Sequence, residues 1–133
     1  MSQVLIIEDE PVLARLLQLL VEVEWYETIV ADDGIRGFAA AQRQAPDAIL
    51  MDLMMPVMDG YGTLEALRTD ERTADIPVVV LSAIVSDAAR QRCIDSGAVA
   101  IVRKPFDNAN LLEALEDSLA SHRRATEPFE MRV

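Results

Sequence analysis

Four apolar runs in the 133-residue chain end on side chains that can do chemistry. Val4–Ile7 is followed by Glu8-Asp9-Glu10, Ala48–Met51 by Asp52, Val78–Leu81 by Ser82-Ala83, and Val99–Val102 by Arg103-Lys104-Pro105. If these endings meet in one pocket, two or three carboxylates, a hydroxyl and an ammonium share it. Carboxylates about 4 Å apart repel by roughly 4 kcal/mol at an effective dielectric of about 20, so the group is costly without a cation. The donors are hard oxygens with no His or Cys beside them, which favours Mg²⁺ or Mn²⁺ completed by waters and a phosphate oxygen. A lysine and a hydroxyl beside such an ion neutralise a transferring phosphoryl group. An aspartate there can be the nucleophile, forming an acyl phosphate. Together these residues describe phosphoryl transfer onto Asp52. Taken singly they are ordinary: Asp52 could cap a turn, Lys104 could be a solvated lysine, and Ser82 could merely end a strand.

Positioning them requires strands that alternate with helices. The four runs, with Thr28–Ala31, lack polar alternation, as expected of strands covered on both faces in a parallel sheet. Pro11 suits the first turn of a helix, after which Leu13, Leu16, Leu17 and Leu20 recur at helical spacing as one apolar face. A second helix follows Asp33-Gly34 and carries Ile35, Phe38 and Ala39, and a third runs from about Tyr61 to Arg68 with Leu64 and Leu67 inward. A fourth, about Ser86 to Ser96, stops at Gly97. A fifth starts at Asp107 as N-cap and carries Leu111, Leu112, Leu115 and Leu119. Five such units predict an α/β fold, a doubly wound five-stranded parallel sheet with five helices. In open sheets of this kind, ligands sit at the carboxyl ends of the strands, where the chemistry-bearing residues fall.

A hydrophobic content of 51% suits one domain over residues 1–121, with 122–133 as a tail or linker. A net charge of −11 argues against nucleic acid, which needs clustered Lys and Arg. The run Val4–Ile7 is too short for a signal peptide or membrane anchor. A single cysteine, Cys93, excludes an internal disulfide and fits the cytoplasm.

The stretches "VLIIEDEP", "ILMDLMMPVMDG", "IPVVVLSA" and "GAVAIVRKPF" occur in the order and at the spacing of a response-regulator receiver domain, which the chain resembles from about Gln3 to Ser121. The resemblance implies a flavodoxin-like receiver fold and a two-component phosphoprotein. Asp52 is then the phosphoacceptor. Asp9 is a direct metal ligand, Glu8 a ligand directly or through water, and the Met54 backbone carbonyl a further one. Lys104 contacts a phosphoryl oxygen, Lys104–Pro105 is a cis peptide, and Ser82 is the switch hydroxyl. The donor is a sensor histidine kinase or histidine phosphotransfer protein. Output is a downstream protein contact, or a phosphorylation-dependent homodimer, through about residues 86–121. Because nothing after Ser121 reads as an output domain and the chain starts almost directly with its first strand, a single-domain regulator or the receiver part of a longer one is expected.

Two departures from the family pattern stand out. Receivers commonly carry Tyr or Phe three residues before the lysine as a relay; here it is Ile101. The variable positions flanking the site, Met54 and Ile84, are both apolar and cannot orient water, which implies slow autodephosphorylation. The rivals are weaker. "EDEP" would repel the phosphate of a flavin, and a dehalogenase-type phosphatase needs an acid where Met54 stands. A receiver fold used for phosphorylation-independent contacts is the alternative that Ile101 keeps open. The chain is not expected to turn over an outside substrate. Asp32-Asp33-Gly34 reads as a turn into a helix cap rather than a second metal site. His122 reads as neither ligand nor phosphotransfer histidine. Trp25 and Tyr26 lie at the amino-terminal end of the sheet, as packing or a partner contact, and Met54, Met55 and Met58 as loop packing or partner surface.

Overall fold

The computed structural model describes residues 1–55, 59–83 and 86–126, with backbone alone for 122–126. Ile84, Met58 and the tail from residue 127 lie outside the described residues. The chain folds as β1 (Gln3–Ile7), α1 (Pro11–Val23), β2 (Glu27–Ala31), α2 (Gly34–Gln44), β3 (Ala48–Asp52), α3 (Gly60–Thr69), β4 (Val78–Ser82), α4 (Asp87–Asp95), β5 (Ala100–Arg103) and α5 (Asn108–Thr126). The five strands form one parallel sheet in the order β2-β1-β3-β4-β5. It is the doubly wound α/β architecture that the alternation predicts.

The interior strands explain their own sequences. Every residue of β3 and β4 is buried, as are the last four of β1, because helices cover both faces of the sheet. Alternate side chains divide between two cores. Leu5, Ile7, Ile49, Met51, Val78 and Val80 meet Ala40, Ala41, Leu64, Leu67 and Cys93 on one face. Val4, Ile6, Leu50, Val79 and Leu81 meet Leu17, Val21, Leu111, Leu115 and Leu119 on the other. The edge strands β2 and β5 are only partly buried.

Helix starts follow side-chain caps. Asp33 accepts from Arg36 N (2.7 Å), Asp59 from Gly62 N (2.8 Å), Ser86 from Ala89 N (3.2 Å) and Asp107 from Ala109 N (2.8 Å). Glu10 caps α1 by accepting from Leu13 N at 2.7 Å, with Pro11 following it. Asp32 pairs with Arg36 at 2.9 Å, so the Asp32-Asp33 stretch is a turn and a cap. Gly97 ends the α4 segment at φ +113°, a conformation that side chains disfavour.

Four expectations from the sequence are corrected. The inward face of α1 is Ala14, Leu17 and Val21, with Leu13 and Leu20 half-buried, while Leu16 points outward. The inward face of α2 centres on Gly34, Gly37, Ala40 and Ala41, and Ile35 is exposed, because small residues let that helix lie close to the sheet. β5 begins at Ala100, with Val99 exposed before it. Helix α5 continues to Thr126, into the segment whose weak periodicity reads as a tail. Trp25 is 80% exposed with φ +68°, while Tyr26 packs against the α1/α5 core. No described helix is long and apolar enough to cross a membrane.

The loop after β3 is closed by Gly60, whose N–H donates to Leu53 O at 2.8 Å. A Cβ on Gly60 would lie 2.6 Å from Leu53 Cα and 2.7 Å from Leu53 O, both backbone atoms that cannot step aside. Gly60→Ala should therefore cost about 2 kcal/mol or more, against the gain Ala ordinarily brings to a helix. Urea unfolding checks this, and an unchanged or raised midpoint would show that the loop yields freely.

Candidate functional site

The carboxyl ends of β1 and β3 are neighbours, with Ile7 opposite Met51, so Glu8 and Asp9 emerge beside Asp52. This is where the winding reverses, with β2 on one side and β3 and β4 on the other. One carboxylate oxygen from each of Glu8, Asp9 and Asp52 lies within 4.8 Å of the other two. Glu10, the fourth nearby acid, is taken up by the α1 cap.

Two of the members, Asp52 and Glu8, accept from backbone amides. Asp52 is buried at the last position of β3, and its Oδ1 accepts from Met54 N at 3.1 Å. Glu8 is only 1% exposed. Its N–H donates to Ala31 O (3.0 Å) and its Oε2 accepts from Glu10 N (3.0 Å). Its Oε1 is buried without a hydrogen-bond partner among the described residues. Burial above all, with the charge of Asp52 and the carboxyl of Asp9 adding to it, pushes Glu8 up to about 7. The Glu10 amide and the charge of Lys104 pull the other way.

The cation comes from across the sheet. Ser82 and Arg103 are opposite each other in the β4–β5 register, and Lys104 N donates to Ser82 O at 2.8 Å. The Lys104 ammonium then reaches Asp52 Oδ2 at 3.1 Å. The Lys104–Pro105 bond is cis. Ser82 is buried one position past the pairing of Asp52 with Leu81. Ile101 is half-buried against the core beneath α3 and α4. The side chain of Met54 stands 74% exposed.

One ammonium among three carboxylates leaves an excess of negative charge, and Glu8 Oε1 is an unused, buried hard donor. That donor set suits a divalent ion such as Mg²⁺ rather than a thiophilic metal. What spacing could not disclose is how Asp52 is fixed. The Met54 amide and the Gly60–Leu53 bond leave no signal in residue type alone. Arg15 and Gln18 line a groove beside Glu8 and Asp9, on a helix whose sequence reads as packing.

Fold and site together define a doubly wound α/β domain with an acidic pocket at its switch point. The model of the response regulator receiver domain matches residues 4–116, and the chain belongs to that family, the receiver of a two-component response regulator. The DNA-binding dual master transcriptional regulator RpaA of Synechocystis sp. is 42% identical over 112 residues, which is 84% of this chain and 46% of RpaA. The response regulator PleD of Caulobacter vibrioides is 37% identical over 83% of this chain and 24% of its own length. The chain thus spans half or less of these relatives. Among solved structures, the receiver domain of sensor histidine kinase PA1611 from Pseudomonas aeruginosa has magnesium coordinated in its active-site cleft. It is 31% identical with a TM-score of 0.82, covering 90% of this chain and 98% of that one.

The raised Glu8 has a thermodynamic consequence. Its ordinary value is 4.5 and its folded value about 7, so the folded state holds the proton more tightly. Between those values the unfolded chain loses its proton first, and stability of the metal-free protein falls as pH rises. Thermal melts of the parent and Glu8→Gln in chelator, from about pH 4 to pH 8, should show a decline in the parent that the variant lacks. Mg²⁺ should restore parental stability at the upper end. Parallel curves for the two proteins would refute the assignment.

Proposed function

We propose that this receiver accepts a phosphoryl group on Asp52 from a histidine kinase or histidine phosphotransfer protein, in a reaction that depends on Mg²⁺ or Mn²⁺. The observation that carries this is the position of Asp52, buried at the switch point between the Glu8–Asp9 pair and the Lys104 ammonium 3.1 Å away. An Asp52 carboxylate oxygen attacks phosphorus, the bond from phosphorus to the donor imidazole nitrogen breaks with its electron pair staying on nitrogen, and the imidazole, which carries a proton on its other ring nitrogen, leaves as the neutral base. Lys104 is placed to exchange part of its pairing with Asp52 for a phosphoryl oxygen. Ser82, at the end of the adjacent strand, supplies the hydroxyl that bonds the phosphoryl group afterwards. Glu8, Asp9, Asp52 and the Met54 carbonyl would hold the cation, which supplies charge neutralisation for the transferring group.

Output is a changed protein contact along about residues 86–121, a shift between pre-existing arrangements. The receiver promotes its own phosphorylation and dephosphorylation but turns over no external substrate. A net charge of −11 disfavours direct nucleic-acid contact by this chain; RpaA, the relative named DNA-binding, extends well past the matched length. The single cysteine suits the cytoplasm. A phosphorylation-independent interaction module is the second reading, favoured by one feature: Ile101 offers no ring to report movement at Ser82.

Incubation with acetyl phosphate and Mg²⁺ should add one phosphoryl mass to the intact chain, and none to Asp52→Asn or in chelator. Lys104→Ala should be slowed by about 10²-fold or more. No adduct from acetyl phosphate or a phosphohistidine donor would leave the interaction module standing. Because an apolar Met54 cannot orient water, Met54→Asn should speed loss of the phosphoryl group several-fold in the same mass assay. An unchanged decay would remove Met54 from that role.

A further inference from the structure

Helix α1 is apolar on two faces. Ala14, Leu17 and Val21 face the core, yet Val12 (75% exposed), Leu16 (48%), Leu19 (47%) and Val23 (73%) form a second stripe towards solvent. Their spacing of four, three and four residues is a coiled-coil seam over three turns. A helix that is apolar all round is normally covered on all sides. No described element of this chain covers the outer stripe.

The stripe is complementary to itself in one orientation. Laid against a second copy in antiparallel fashion, Val12 meets Val23 and Leu16 meets Leu19, each twice about a two-fold axis, so all four layers are apolar. The residues beside the seam then fall into place: Arg15 of each helix lies beside Glu22 of the other, giving two opposite-charge pairs. In a parallel pair Arg15 would face Leu20 and find no acid. Arg15 and Glu22 are both on the surface, and their present bonds, to Gln18 (2.9 Å) and Thr28 (3.1 Å), are exposed ones that exchange at little cost.

We propose that the outer stripe of α1 is a homodimer interface, in which two copies pack α1 antiparallel through Val12, Leu16, Leu19 and Val23 with paired Arg15–Glu22 contacts. This interface lies over β1 and β2, on the side of α1 opposite the core that α1 shares with α5, and uses no residue of the acid site. The acids Glu10 and Glu24 at the helix ends approach each other in the dimer and oppose it.

Sedimentation velocity of the full chain from about 5 to 300 µM, unphosphorylated, should show reversible dimerisation. The charge variants give the decisive comparison. Arg15→Glu carries acids at both positions and Glu22→Arg carries bases at both. Each alone should dimerise about tenfold or more weakly, while an equimolar mixture should form a heterodimer, because both cross-pairs are then opposite in charge. Leu16→Glu, at an outward position, should abolish association with helix content retained by circular dichroism. A parent that stays monomeric throughout, or a mixture no more dimeric than its separate components, would overturn the proposal. Dimerisation that survives Leu16→Glu would overturn it too, since another face would then carry the contact. Intact-mass phosphorylation of Asp52 is read separately, so a failure there leaves this interface untouched.

Discussion

Negative charge held out of water at one edge of the sheet is the constraint around which the rest of this molecule is arranged. Glu8 and Asp52 are buried, Asp9 adjoins them, and Lys104 alone among the described cations pairs with the group. Carboxylates so close stay together only because the backbone gives them no choice: they follow strands whose side chains are wholly enclosed. The hydrophobic burial of β1, β3 and β4 thus offsets an electrostatic cost at their ends, and the excess charge left over is of the kind that a hard cation would balance. A strand start would not serve, since the helices that follow β1 and β3 turn their positive amino-terminal ends towards this same edge.

The dense packing around Asp52 thins towards α4. Among the residues of that helix only Cys93 is fully buried, and its outer contacts are few: Arg92 lies 3.7 Å over the Tyr61 ring, and the Tyr61 hydroxyl donates to Ala89 O at 3.5 Å. A helix with so little apolar surface in the core is the cheapest element to move. Tyr61 lies at the start of α3, directly after Gly60, whose amide closes the loop from Asp52. A continuous set of contacts therefore joins the acid site to α4 without passing through residue 101. The ring in contact with α4 thus stands on α3, at Tyr61, and not at position 101.

The fold was legible because apolar runs without alternation have few explanations besides a covered parallel sheet, and because Asp, Ser and Pro mark helix starts. The acid site was legible for a related reason: charges that directly follow buried strands have only one edge to occupy. Helix faces were harder to read. In α1 the sequence "VLARLLQLLVEV" satisfies the helical period on more than one side, so periodicity could not separate Leu17, which is buried, from Leu16, which is not. In α2 the contact face is Gly and Ala, residues whose small size brings the helix close but carries little hydrophobic signal. Glu10 illustrates a third limit. Its composition matches Glu8 and Asp9, and only geometry separates a cap from a member of the site.

Charge on the whole chain constrains how any of these surfaces can be used. At −11, both an acidic partner and a second copy are repelled at long range. That repulsion is screened beyond about 8 Å at physiological ionic strength. Association must therefore come from short-range apolar contact with opposite charges met locally. Lys104 at the acid site and Arg15 beside it on α1 are two cations placed where contact would occur. The two are not equivalent. Lys104 is already engaged by Asp52 at 3.1 Å, whereas Arg15 holds no more than an exposed amide oxygen at 2.9 Å. A dimer through α1 therefore has to displace almost nothing, while a change at the acid site must first break a half-buried ion pair. The first is suited to concentration as its control, the second to chemistry.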